Sequence, residues 1–169
     1  MRKFWIFSVI MSIFIFGCAT TEITPPKTQL QIREFQTRTF DTNDIKIVMK
    51  AMLNVLQDDG FIVKNAVPDI GLLTAEKTLD ATDKASEFWV QLGVAFGGRE
   101  TPYRKAQIIE CTANISEFGK QSRVRVNFQV KVLDQRGGIM EVKQIDDEKY
   151  YQDFFSKVDK GLFIQKEKL

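Results

Sequence analysis

The clearest signal along the chain is strict alternation. Val124, Val126, Phe128, Val130 and Val132 are apolar, and Arg123, Arg125, Asn127, Gln129 and Lys131 between them are polar. A period of two with one polar side predicts an antiparallel strand over residues 123–133 that buries a single face. Residues 105–116 repeat the pattern, with Ile109, Cys111, Ala113 and Ile115 on one side and Glu110, Thr112, Asn114 and Ser116 on the other. Residues 117–121, with Gly119, form the turn between these two strands. Shorter strands are predicted at 61–66 and 72–78, joined through Val67-Pro68-Asp69-Ile70-Gly71, and at 139–145 after the Arg136-Gly137-Gly138 turn. Residues 30–40 carry Leu, Ile, Phe and Thr at mixed spacing and predict a first strand.

Two segments have a period near 3.6 instead. Ile45, Val48, Met49, Met52, Leu53 and Leu56 form one helical stripe. The segment Asp41-Thr42-Asn43-Asp44 supplies cap oxygens before it, and Gly60 stands where a left-handed C-terminal cap belongs. Tyr151, Phe154, Phe155, Val158 and Leu162 mark a second helix, flanked by Tyr150, capped by Asp146-Asp147 and expected to weaken at Gly161. The order strand, helix, strands, helix predicts an α+β domain. A single antiparallel sheet has two helices packed on one face, and its other face is polar.

The first residues follow neither period. Arg2 and Lys3 precede an uncharged apolar run from Phe4 to Phe16. At about 13 residues the run is short for a membrane span, which takes about 20, and matches the apolar region of a secretory signal. It ends in Ile15-Phe16-Gly17-Cys18, which resembles the lipobox of bacterial lipoproteins. The resemblance implies cleavage before Cys18 and a lipid anchor on its thiol. A plain secretory signal or short anchor containing a cysteine is the alternative. Residues 1–17 are thus expected to be a signal peptide. Residues 18–29, Thr-rich with Pro25-Pro26, are a lipidated cysteine and tether, and 30–169 a single periplasmic domain.

Composition narrows the function. Without Arg2 and Lys3, the 24 basic residues fall level with the 22 acidic ones. A balanced charge argues against nucleic acid as a partner. The chain has no histidine, which removes Ser-His and Cys-His nucleophile pairs and histidine-containing zinc sites. Carboxylate or lysine chemistry remains open. Once Cys18 is lipidated, Cys111 has no partner for an internal disulfide.

Several stretches together carry a resemblance. They are Gln36-Thr37-Arg38 with Phe40, Leu56-Gln57-Asp58-Asp59-Gly60-Phe61, Gly71-Leu72-Leu73-Thr74-Ala75, and Tyr151-Gln152-Asp153-Phe154-Phe155. They resemble a family of uncharacterised Gram-negative outer-membrane lipoproteins, which implies a location and no activity. The helix ending Leu-x-x-x-Gly-Phe before a hairpin looks like the helix-grip modules of the NlpB-type lipoprotein of the β-barrel assembly machine, and implies a helix-grip-like domain. In enterobacterial lipoproteins an Asp after the lipidated Cys retains the protein in the inner membrane. Ala19 stands there instead, which implies the outer membrane.

Two surfaces are candidate contacts. Residues 88–98 are uncharged and include Phe88, Trp89, Leu92, Val94 and Phe96. They form either an apolar contact loop or a short helix packed on the core. The outward row Arg123, Arg125 and Lys131 suits an anionic partner, or is an ordinary solvated face partly neutralised by Glu110. Asp146, Asp147, Glu148 and Asp153 crowd a helix start, where capping accounts for them, and Cys111 reads as a small core residue. No cofactor is implied. The expected protein is a non-enzymatic interaction or assembly module, joined to the membrane through its lipid and partnered by an envelope protein. A carrier of lipid or another apolar ligand is the alternative.

Overall fold

The computed structural model describes residues 27–80 and 104–167. Among these residues three helices, α1 (Gln29–Phe35), α2 (Ile45–Asp58) and α3 (Glu148–Glu167), accompany six strands. The strands are β1 (Thr37–Phe40), β2 (Ile62–Val67), β3 (Leu72–Asp80), β4 (Arg104–Phe118), β5 (Gln121–Asp134) and β6 (Ile139–Gln144). All pairings are antiparallel, in the order β1-β5-β4-β3-β2. β6 joins the free half of β5, so β1 and β6 lie end to end along one side of that strand. The expected α+β class and single antiparallel sheet are what the chain forms.

The alternation does the sorting. The even positions of β5 from Ser122 to Val132 are buried, together with Leu73 and Ala75 of β3 and Ile109, Cys111, Ala113 and Ile115 of β4. Val48, Met49, Met52 and Leu56 of α2, and Tyr151, Phe154, Phe155 and Val158 of α3, close over that face in one continuous cluster. Phe128 lies at its centre, ringed by Phe61, Tyr150, Tyr151 and Phe154 at centroid distances of 4.9–6.0 Å. α2 starts as its sequence predicts: the Asp44 carboxylate accepts from the Lys46 and Ile47 amides. It ends at Gly60, which has a left-handed φ of 82°.

Two boundaries differ most from the expectation. Residues 30–40 are not one strand, because α1 occupies most of the segment and only Thr37–Phe40 pairs with β5. The cause is a reciprocal cap. The Thr28 hydroxyl accepts from the Gln31 amide, and the Gln31 side chain accepts from the Thr28 amide. Ile32 and Phe35 then share a helical face, and Phe35 packs against Tyr151 at 5.3 Å. α3 also runs past Gly161 to Glu167. A methyl group at Gly161 would stand 3.6 Å from the Ala51 Cβ, so this glycine lets α3 pass close to α2 and does not stop the helix.

Where β1 hands over to β6, a polar junction crosses the core. The Tyr151 hydroxyl donates to the Ile145 carbonyl and accepts from the Phe128 amide and the Gln36 side chain, all at 3.1–3.2 Å. Asn127 Oδ1 accepts from both Gln36 and Gln144. The Val126, Ile145 and Phe128 amides thereby find partners across the break, as buried backbone groups require, while the Gln36 side-chain oxygen is buried without one among the described residues.

Candidate interaction surface

The sheet face opposite the helices is formed by the other half of the alternation. Its β5 positions are Arg123, Arg125, Asn127, Gln129 and Lys131, each half-buried or exposed. Register sets their neighbours. Arg123 lies between Ser116 and Thr39, and Arg125 between Asn114 and Thr37. Phe118 at the end of β4 is exposed, and the Arg123 guanidinium sits 3.8 Å above its ring centroid. That contact holds the cation over an aromatic face that water would otherwise cover. Among the described residues neither Arg123 nor Arg125 forms an ion pair with a carboxylate.

Lys131 belongs to a different environment. It lies six positions from Arg125, roughly 20 Å along a strand, and its ammonium binds Glu110 Oε1 at 2.5 Å. Gln129 donates to the other oxygen of the same carboxylate at 2.6 Å. Glu76 of β3 stands directly opposite Glu110, a like-charge pair that destabilises a sheet unless neutralised. Lys64 neutralises Glu76 at 2.6 Å. The row Lys131, Glu110, Glu76, Lys64 is therefore internally balanced, beside a hollow of about 200 Å³ lined also by Thr74 and Thr112. The three cations of the sequence reading share one face. Two form a pair at one end with no carboxylate partner among the described residues, and the third is already spent.

Partial burial pushes the Glu110 carboxyl up, but the hydrogen bonds from Lys131 and Gln129 and the charge of Lys131 outweigh it, and the pKa is lowered. A lowered folded-state pKa adds stability that is complete above the ordinary carboxylate range and is lost as pH falls through the lowered value. Glu110→Gln and the parent should therefore differ in stability at neutral pH and converge at the acid end of a pH series of urea unfolding curves. A gap that stays constant with pH would show that charge is not its source.

The remaining candidates are chemically quiet. Cys111 is buried on the helix side, and desolvation pushes its thiol well above the usual range, so it stays protonated. Asp147 accepts from the Tyr150 amide at 3.0 Å, Glu148 accepts from Gln152, and Asp153 pairs with Lys149. Asp147 is thus a capping group, and Glu148 and Asp153 pair along the helix surface. No group of three potential metal ligands converges among the described residues. A surface groove of about 420 Å³ between α1 and α3 has mixed charge, with Lys27, Glu34, Arg38 and Glu148 on its walls. Cys18 and the run Phe88, Trp89, Leu92, Val94 and Phe96 lie outside the described residues.

No protein-family model matches this chain, and no curated protein does.

Sequence reasoning missed Phe118 and the Gln36–Tyr151 junction. Phe118 sat inside the predicted turn at residues 117–121, and only the register of the β4–β5 hairpin places it beneath Arg123. Tyr151 was legible as a core residue, but the three partners of its hydroxyl come from distant parts of the chain.

Proposed function

We propose that the protein is a lipid-anchored component of the bacterial envelope, held through Cys18 in the outer membrane with its domain facing the periplasm. It acts there as a non-enzymatic interaction or assembly module. The observation that carries this reading is the Arg123–Arg125 pair. Two exposed guanidinium groups project from successive outward positions of a strand bonded on both sides, with no carboxylate partner among the described residues. Arginines presented side by side in this way suit bidentate recognition of carboxylates. An acidic patch on an envelope protein fits them, and Phe118 adds apolar area beside the charge.

The anchor is supported by Ile15-Phe16-Gly17-Cys18, and the outer-membrane location by Ala19. The likeness to Gram-negative outer-membrane lipoproteins and to helix-grip modules agrees with both. The carrier alternative needs room between sheet and helices, and there the described side chains of Phe128, Met49, Met52 and Tyr151 fill the layer.

Cys18→Ala should yield an uncut precursor that takes up no radioactive palmitate. With the anchor intact, a photo-crosslinker at position 125 should capture an envelope protein in living cells, and one at position 64 should not. Arg123→Glu should abolish that capture. Palmitate labelling of the Cys18→Ala protein would remove the anchor. Equal capture from positions 125 and 64 would remove the arginine pair as the contact. Co-fractionation with inner-membrane markers would remove the location.

A further inference from the structure

Resting on the reading of this face as a protein contact, we infer that the Arg123–Arg125 pair recognises an extended acidic segment of its partner. In that segment two carboxylates at positions i and i+2 meet the arginines, and an apolar residue at i+4 is seated on Phe118.

The outward positions at this end of the sheet form a line. Arg125 and Arg123 are successive outward residues of β5, about 7 Å apart along the strand. Phe118 continues that line on the neighbouring strand. It pairs with Gln121, one outward step beyond Arg123 toward the hairpin turn. It remains 52% exposed with the Arg123 guanidinium above its ring. The flanking side chains are short: Thr39 and Ser116 beside Arg123, Thr37 and Asn114 beside Arg125.

Charge at this end is one-sided. Glu117 stands opposite the buried Ser122, so its side chain belongs to the helix side of the sheet. Glu110 shares the outer face, but it lies four positions along β4 from Asn114, roughly 13 Å. It is also already bound by Lys131 and Gln129. Among the described residues neither arginine side chain has a carboxylate partner. A carboxylate accepts two parallel hydrogen bonds from one guanidinium, so each arginine takes one acid.

Spacing selects the shape of the segment. An extended chain presents residues i, i+2 and i+4 on one side at the same pitch of about 7 Å as β5 itself. Laid along β5, it meets Arg125, Arg123 and Phe118 in turn. A helix presents i, i+4 and i+8 at a shorter pitch of about 6 Å, in a row inclined to its axis. Three points in line at the strand pitch suit the extended form better.

Fluorescence anisotropy on the full-length protein in neutral detergent micelles tests this. The probes are short labelled peptides of serine and glycine with two glutamates and one leucine. The peptide with glutamates at i and i+2 and leucine at i+4 should bind, and added salt should weaken it. Peptides of the same composition should bind roughly fivefold more weakly when the glutamates are adjacent, or when the three residues have helical spacing. Arg125→Lys keeps the charge but loses the two-donor fork, and should weaken the matched peptide. Phe118→Ser should remove the advantage of leucine over serine at i+4 and leave the preference for spaced glutamates. Circular dichroism of each variant separates lost binding from lost fold. Equal binding of all glutamate spacings overturns the motif, as does a leucine preference that survives Phe118→Ser. Glycerol phosphate, which carries the anionic group of a lipid head, should displace the matched peptide no better than a peptide with one glutamate. Stronger displacement would assign the arginines to phosphate and overturn the motif. If a crosslinker at position 125 captures an envelope protein in cells while the glutamate spacing proves irrelevant, the motif falls and the contact surface stands. If position 125 captures nothing, both fall.

Discussion

Replacing Phe128 with Asp is expected to unfold the domain. The side chain has no exposure to solvent and stands among four aromatic rings between the sheet and α3. Among the described residues no Lys or Arg is buried to receive a carboxylate. A buried, unpaired charge costs several kcal/mol, which is of the order of the whole stability of a domain this size, about 5–15 kcal/mol. Val126→Asp should behave alike, since it is equally buried on the same face. One residue away, Arg125→Ala should change stability by about 0.5 kcal/mol or less, because its side chain is exposed and forms no ion pair among the described residues. Urea unfolding of the domain measures all three. Similar losses from Arg125→Ala and Val126→Asp would mean that the outer face is covered, and would end its role as an open binding surface.

Gly71→Ala should cost about 3–5 kcal/mol, a large effect for a single methyl group. Gly71 follows the short 3-10 turn at Pro68–Ile70 and has a left-handed φ of 64°. Its carbonyl accepts from the Ile115 amide at 2.8 Å, which draws the turn tightly onto β4. A Cβ at residue 71 would lie 1.8 Å from the Ile115 carbonyl oxygen, so backbone must move. Gly119→Ala is the matched control. It shares the left-handed φ, at 65°, but has nothing within 4 Å of the added methyl group. Its loss should be confined to the backbone strain, about 1–2 kcal/mol. Thermal unfolding of the two variants tests the difference, and equal shifts would assign the whole effect to φ.

What could be read from the sequence tracks how local the cause is. The alternation in β5 and the stripe in α2 depend on neighbours within a few residues, and both stand as predicted. The cap that starts α1 was also local. Thr28 and Gln31 have the spacing of a capping box, but the Leu, Ile, Phe and Thr at mixed spacing over residues 30–40 read as a strand. Gly161 misled for a longer-range reason. A helix-weakening residue is tolerated where another helix crosses close by, and Ala51 lies far away in sequence. The candidate cations divide in the same way. Facing was legible from period two, whereas the neutralisation of Lys131 and the freedom of the arginine pair depend on which strands lie beside β5. That β1 and β6 share one side of β5 is a pairing choice across much of the chain, and no local pattern encodes it.

That shared side also sets an order of assembly. Among the described strands β1 has a ladder with β5 alone, and the Val126 amide closes the junction by donating to the Gln36 carbonyl. A chain that emerges from its N-terminus makes α1, β1 and α2 long before the strand that receives them exists. The β4–β5 hairpin closes across the two residues Gly119 and Lys120, a loop of minimal entropic cost, whereas β1 must close a loop spanning most of the domain. The hairpin is thus the natural first event, and the N-terminal third waits, apolar stripe exposed, until the last strands have arrived.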